Sequence, residues 1–494
     1  MKVRLSLRVA GTVVLAVMIL LTLGCAEKSS DNSGKIPITS SSKVAREAFL
    51  KGRDLQERLQ GQESLAYFDE AIAADPELAL AYYYASLGQP TAKDFFDKLN
   101  SAVALVDKVS EGERLWILGF EAGVNGDPKK QYEYFQKLVT TYPGDERAHS
   151  QLGNYYFGQQ QWDKAIAAYK KAVAINPNYS QSYNQLGYSL RALSKYDEAE
   201  QAFKKYIELI PNDPNPYDSY AELLLKVGRF EESIEQYRLA LSHNPNFVAS
   251  YIGIATNLCL LNKHEEARTQ LKQLYNVARN DGERRAALFA ATVTFADEGE
   301  WDQALQEMQQ QYALAAQIND SGNLSGDLNT MGNILLESGK PEQALQKYEE
   351  SLAVVEQSEL SPEIKANAKR GHLFNVGRVA LAKGEVATAK SKTEEFLAAA
   401  EATHNTFQIW QAHELAGAIA LAEKDFAGAA DHLGRANQQN PYTHYRLAKA
   451  YAGLGENTKA QQACKKAAHF NGINSLNYAF VRAKAAKLLT KLES

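Results

Sequence analysis

Residues 154–177 read NYYFGQQQWDKAIAAYKKAVAINP. A tyrosine-rich segment runs into an alanine-rich one carrying three lysines, and the stretch ends on Asn176-Pro177. Alone it fits a basic amphipathic helix, an aromatic platform or one unit of a repeat. Its neighbours decide between these. LGNYYFGQQQWDKAIAAYKKAVAINP is followed by LGYSLRALSKYDEAEQAFKKYIELIP and then by YAELLLKVGRFEESIEQYRLALSHNP, and LGFEAGVNGDPKKQYEYFQKLVTTYP precedes it. Pro143, Pro177, Pro211 and Pro245 recur every 34 residues, as do Gly119, Gly153, Gly187 and Ala221. Ala165, Ala199, Ser233 and Ala267 keep the same register.

The spacing predicts a helical hairpin repeated along the chain. A small residue on the first helix, Gly153, is expected to meet Ala165 on the second and let the backbones approach. Trp162, Tyr196 and Phe230 introduce the second helix, and Tyr169, Phe203 and Tyr237 fill it. The prolines stop it, since proline lacks an amide donor and clashes with the preceding turn. Such a hairpin cannot bury its apolar face alone and requires neighbours on both sides.

These residues resemble the tetratricopeptide repeat family. Contiguous 34-residue units are read at 112–145, 146–179, 180–213, 214–247 and 248–281, with an earlier one at 45–78 and a degenerate one at 79–111, where Pro90 is displaced into the unit. Beyond 281 the period loosens. The alanines expected at the hairpin contacts are Ala304, Ala344, Ala389, Ala429 and Ala460, and SLNYAFVRAKAAKLLTKL reads as a capping helix. The resemblance implies an all-α, right-handed superhelical solenoid of stacked helix-turn-helix hairpins with a C-terminal capping helix. Residues 45–281 form a regular N-terminal array and 282–494 a looser C-terminal array, divided where NDGER breaks the pattern.

The amino terminus reads as targeting signal. MKVRLSLR is basic, Val9 to Leu23 is apolar, and fifteen residues suit the core of a secretory signal better than a membrane span. Leu21-Thr22-Leu23-Gly24-Cys25 resembles a bacterial lipobox, with Thr22 where leucine is more usual. That resemblance implies cleavage after residue 24, acylation of Cys25, and a place in the bacterial cell envelope facing the periplasm, with Ala26 pointing to the outer membrane. Residues 25–44 are Ser-, Asn- and Lys-rich and are expected to be a flexible tether. Cleavage would remove three basic residues and leave 51 against 59 acidic ones. A mildly acidic body without a basic block excludes nucleic acid as the expected partner.

No catalytic constellation is visible. His413-Glu414 lacks the second histidine of a zinc-protease helix because Gly417 stands in its place. There is no phosphate loop and no Cys pair, and Cys259 and Cys464 fall in separate units as expected buried free thiols. The expectation is a non-enzyme without cofactor or metal, binding protein or peptide partners on its concave face. The first helices carry amides and tyrosines and few charges. Asn154 and Asn184 are candidates there, but Ser150 replaces the lysine that a carboxylate-gripping member of the family would have, and Glu222 would repel a carboxylate. In the C-terminal array, Asn329, Asn333, Asn375 and Arg378 resemble residues with which extended-repeat relatives hold a peptide's backbone and acidic side chains. The alternative is a glycan- or small-ligand-binding solenoid that stacks its ligand on tyrosines.

Overall fold

The computed structural model describes residues 34–494. The signal, Cys25 and the first part of the tether lie outside the described residues. Within them the chain forms twenty-five α-helices and no strand. The hairpins begin with α1 (Lys43–Glu57) and α2 (Gly61–Ala74), then α3 (Ala79–Leu87) and α4 (Ala92–Val103), then α5 (Glu111–Val124) and α6 (Pro128–Thr141). They continue with α7 (Glu146–Gly158) and α8 (Trp162–Ile175), α9 (Ser180–Ala192) and α10 (Tyr196–Leu209), α11 (Pro214–Lys226) and α12 (Phe230–His243), and α13 (Val248–Leu260) and α14 (His264–Val277). Longer hairpins follow: α15 (Asp281–Glu298) with α16 (Trp301–Gln317), α17 (Ser321–Glu337) with α18 (Pro341–Gln357), and α19 (Pro362–Ala382) with α20 (Val386–Ala402). The last are α21 (Thr406–Ala422) with α22 (Phe426–Arg435) and α23 (Pro441–Gly453) with α24 (Asn457–Ala468), closed by α25 (Leu476–Glu493).

Packing within the hairpin differs in one detail from the sequence reading. Ala165 is fully buried, but it is the Tyr169 ring that lies over Gly153: a Cβ there would meet a ring carbon at 2.6 Å. Phe135 covers Gly119, Phe203 covers Gly187 and Tyr348 covers Gly332 in the same way. The glycine is needed because a flat ring, and not a methyl, faces it. The second helices stop before the prolines as expected, with α8 ending at Ile175 ahead of Pro177.

The superhelix coils tightly enough to touch itself. Each hairpin has a turn end, between its own two helices, and a loop end, toward the next hairpin. Turn ends of the first tier (α1–α14) meet loop ends of the second. Asn280 donates to Gln62 at 2.9 Å across 218 residues, and the Ala92 amide donates to Asp320 at 2.9 Å across 228. Gln160 donates to Asn437 at 2.8 Å across 277, and Lys226 donates to the Phe470 carbonyl across 244. The C-terminal helix does more than cap α24. Arg482 of α25 pairs with Asp297 at the end of α15, and Phe480 packs beside Trp301, with ring centroids 5.9 Å apart.

The tether expected over 25–44 is not free along its described part. From Gly34 to Ser42 it lies along the loop ends of the first four hairpins. Ser40 donates to Asp75 at 2.5 Å, and the Thr39 amide donates to Glu113 at 2.9 Å. The Ile36 amide donates to Asp145 at 2.8 Å, and Lys35 pairs with Glu146. Ile36 and Ile38 pack on the core formed by α1–α7. Composition argued for a leash because it counts apolar residues; here buried carboxylates hold backbone amides.

Candidate functional site

Four of the candidate residues converge. Asn329 and Asn333 on α17 and Asn375 and Arg378 on α19 line one cavity of about 670 Å³, completed by α21, α23 and the first residues of α25. On α17 and α19 the spacings of four and three residues place each pair on one helix face. Asn375 Nδ2 donates to Asn329 Oδ1 at 2.9 Å, and Asn329 Nδ2 donates to Ser351 Oγ at 2.5 Å and to the Ser325 carbonyl at 3.1 Å. Arg378 Nη1 donates to Asn333 Oδ1 at 2.7 Å, and the same oxygen accepts the Tyr348 hydroxyl at 2.9 Å. The Arg378 guanidinium lies 5.3 Å from the centre of the Phe374 ring.

What these groups leave unused matters most. Asn375 Oδ1 and Asn333 Nδ2 have no partner among the described residues. Arg378 is held by an amide, a phenol and a ring, with no carboxylate among the described residues. The cavity's two carboxylates are already engaged. Glu414 accepts from Arg446 at 2.6 Å and from Asn440 at 2.8 Å, while Glu337 accepts from Tyr442 and Lys484. An entering ligand meets amides and one uncompensated cation. His372 also lines the cavity; burial lowers its pKa, and its Nδ1 is buried without a partner.

The first-tier candidates are placed elsewhere. Asn154 is exposed on α7, and its Oδ1 accepts the Tyr169 hydroxyl at 2.8 Å. Asn184 is only 3% exposed, with its Oδ1 unpartnered, so it sits inside the stack and presents nothing to a groove. Tyr251 on α13 is buried between hairpins, its hydroxyl donating to the Pro245 carbonyl at 3.0 Å. Asn367, Gln408, Asn437 and Tyr442 line the cavity and were not singled out from the sequence. The amide run NQQN at 437–440, directly ahead of α23, was the signal.

A second cavity of about 720 Å³ lies in the seam between the tiers, bounded by Phe96, Leu118, Ile318 and Leu360. Glu121 there is raised by burial and by Glu363. Size does not choose between the two cavities; convergent amides select the first.

Family models for the tetratricopeptide repeat match residues 144–212 and 441–469. The chain carries tetratricopeptide repeats. No curated protein matches it. Among solved structures it is similar to a crystal structure of MamA protein, at 20% identity, covering 33% of this chain and 89% of that one with a TM-score of 0.28. A MamA structure from Desulfovibrio magneticus RS-1 is similar at 15% identity, covering 33% and 93% with a TM-score of 0.29. The matched repeat segment 144–212 holds Asn154, and the matched segment 441–469 holds Tyr442 and Arg446 of the cavity wall.

Among the described residues no three His, Cys, Asp or Glu side chains are grouped to hold a metal, and no helix is long and apolar enough to cross a membrane. Cys259 and Cys464 are free and buried. The His413 and His432 Nδ1 atoms lie 3.2 Å apart, so one ring must accept from the other.

Proposed function

We propose that the protein is a scaffold of the bacterial cell envelope, held by a lipid on Cys25 and facing the periplasm from the outer membrane. It grips extended segments of partner proteins in the amide-lined cavity of its second tier. The repeats themselves support a protein-interaction scaffold. The observation that carries the finer reading is the convergence of Asn329, Asn333, Asn375 and Arg378 on one cavity, with an amide oxygen, an amide nitrogen and a guanidinium left over. A peptide backbone supplies the matching donors and acceptors at every residue, and an acidic side chain or chain end answers Arg378. A photoreactive group at Asn375 in living cells tests this. Specific protein adducts that vanish with Arg378→Ala are expected; adducts no stronger than those from an exposed position such as Lys424 overturn it.

One observation favours a second reading. Phe407 stands 56% exposed on the cavity wall beside Gln408 and Gln411, an aromatic face among amides that could stack a sugar ring. Thermal shift against muropeptides and other glycans separates the readings, since a ligand that binds only the folded chain raises its stability.

A further inference from the structure

The path of residues 34–42 fixes which way the solenoid faces. The strap leaves the N-terminus of α1 and runs along loop ends, past Asp75, Glu113 and Asp145, and reaches Glu146 at the fourth hairpin. The second tier meets the first along the opposite ends of the same four hairpins, through Gln62, Ala92, Asn125 and Gln160. The strap and the second tier therefore occupy opposite rims of the first tier. The amide cavity belongs entirely to the second tier.

We infer that the strap presents the loop rim of the first tier to the lipid surface and the amide cavity away from it. This rests on the anchoring at Cys25 proposed above. Nine peptide steps separate Cys25 from Gly34, which limits their reach to about 32 Å even fully extended. Were the strap undocked, eighteen steps to Lys43 would allow about 65 Å, and either rim could turn toward the bilayer. Docking halves the leash and moves its fixed end from the first hairpin to the fourth. Two tiers of helices, α7 with 13 residues and α21 with 17, set the far rim about 45 Å beyond the near one at 1.5 Å per residue. A leash shorter than the body is deep keeps the far rim from reaching the bilayer.

The strap holds by specific bonds. Glu113 is fully buried, accepts the Thr39 amide and hydroxyl, and also closes the capping box with Ser110 at the start of α5. The Ser110 amide donates to Thr39 Oγ1 at 3.1 Å. Ile36 comes so close to Gly112 that a Cβ there would meet its methyl at 2.9 Å. A strap that closed a helix cap and a core together is part of the fold, which makes it a fixed mount for the anchor.

The test uses the full chain, lipidated in cells and reconstituted into vesicles of phosphatidylethanolamine and phosphatidylglycerol with an acceptor dye on the headgroup. Donor dyes go on Asp107→Cys, at the near rim, or on Lys424→Cys, at the far one; Cys259 and Cys464 are buried. Energy transfer several-fold stronger from position 107 is expected, and equal or reversed transfer overturns the orientation. With Ile36→Asp and Ile38→Asp together, the contrast is expected to shrink while the protein stays on the vesicles. An undiminished contrast overturns the role of the strap. The mass of the mature N-terminus is read in parallel: an unmodified terminus overturns the anchor and the orientation together, whereas a lipidated one with equal transfer overturns the orientation alone.

Discussion

Tyr348 donates its hydroxyl to Oδ1 of Asn333 at 2.9 Å, fifteen residues back along the chain. Tyr169 and Asn154 stand in the same relation at 2.8 Å. Where the covering ring is phenylalanine, as at Phe135 and Phe203, the residue after the glycine is Phe120 or Tyr188, and no amide is needed. The asparagine thus serves first to satisfy a buried phenol, whose pKa burial raises in both tyrosines. Asn333→Ala is expected to cost about 1–2 kcal/mol in urea denaturation, as a buried hydroxyl loses its acceptor. Tyr348→Phe in the same background should recover most of it.

Arg378 separates binding from stability. Its cation has no carboxylate to leave behind, so Arg378→Ala should move the urea midpoint little while abolishing the crosslinks made from position 375. Arg378→Lys should restore binding only in part, because an ammonium cannot keep the planar contact with Phe374 and the bond to Asn333 together.

Gly153→Ala tests the ring-over-glycine packing. Alanine gains about 1 kcal/mol of helix propensity, but its Cβ would meet three Tyr169 ring carbons within 2.9 Å. Tyr169 is fully buried and cannot swing away. A net loss of about 2 kcal/mol is expected by thermal or urea melting. Gly158→Ala, which meets nothing within 4 Å, is the matched control.

Lys226 makes the seam sensitive to alkali. Burial lowers its pKa to about 8, with Arg191 adding to the effect. Between that value and 10.5 the unfolded chain keeps a proton that the folded chain has released, so this group's contribution to stability rises with pH. Below pH 8 the cost of the buried charge is present in full. Urea midpoints at pH 7 and pH 10 should show a rise, worth at most about 3 kcal/mol, that Lys226→Met removes.

The thiols report on folding and on the N-terminus together. Burial pushes Cys259 up to about 12 and Cys464 up to about 11. Neither should react with a disulfide reagent at pH 8 until denaturant is added, when two thiols per chain are expected from the lipidated protein. Three would mean that Cys25 is unmodified.

The hairpins were legible because a local unit repeats: Gly153, Tyr169 and Pro177 each recur in register with their neighbours. Asn375 and Arg378 were picked out by their resemblance to residues of extended-repeat relatives, and both line one cavity. Register could not tell Asn184 from Asn154, since one residue's burial depends on how its neighbours' side chains lean. The seam and the strap left no trace in the period. Gln160 and Asn437 are 277 residues apart, and two of the strap's bonds, from Ile36 and Thr39, run from backbone amides that every sequence possesses.

In most repeat arrays each unit touches only the next, so unfolding can begin at any weak unit and spread one unit at a time. The bonds between tiers tie Gln62 to Asn280 and Lys226 to Phe470. The first hairpin cannot fray without releasing the eighth, and a pull on the strap is carried into the coil as a whole. The protein should resist force and protease like a closed spring, in one cooperative step where an open solenoid would yield unit by unit.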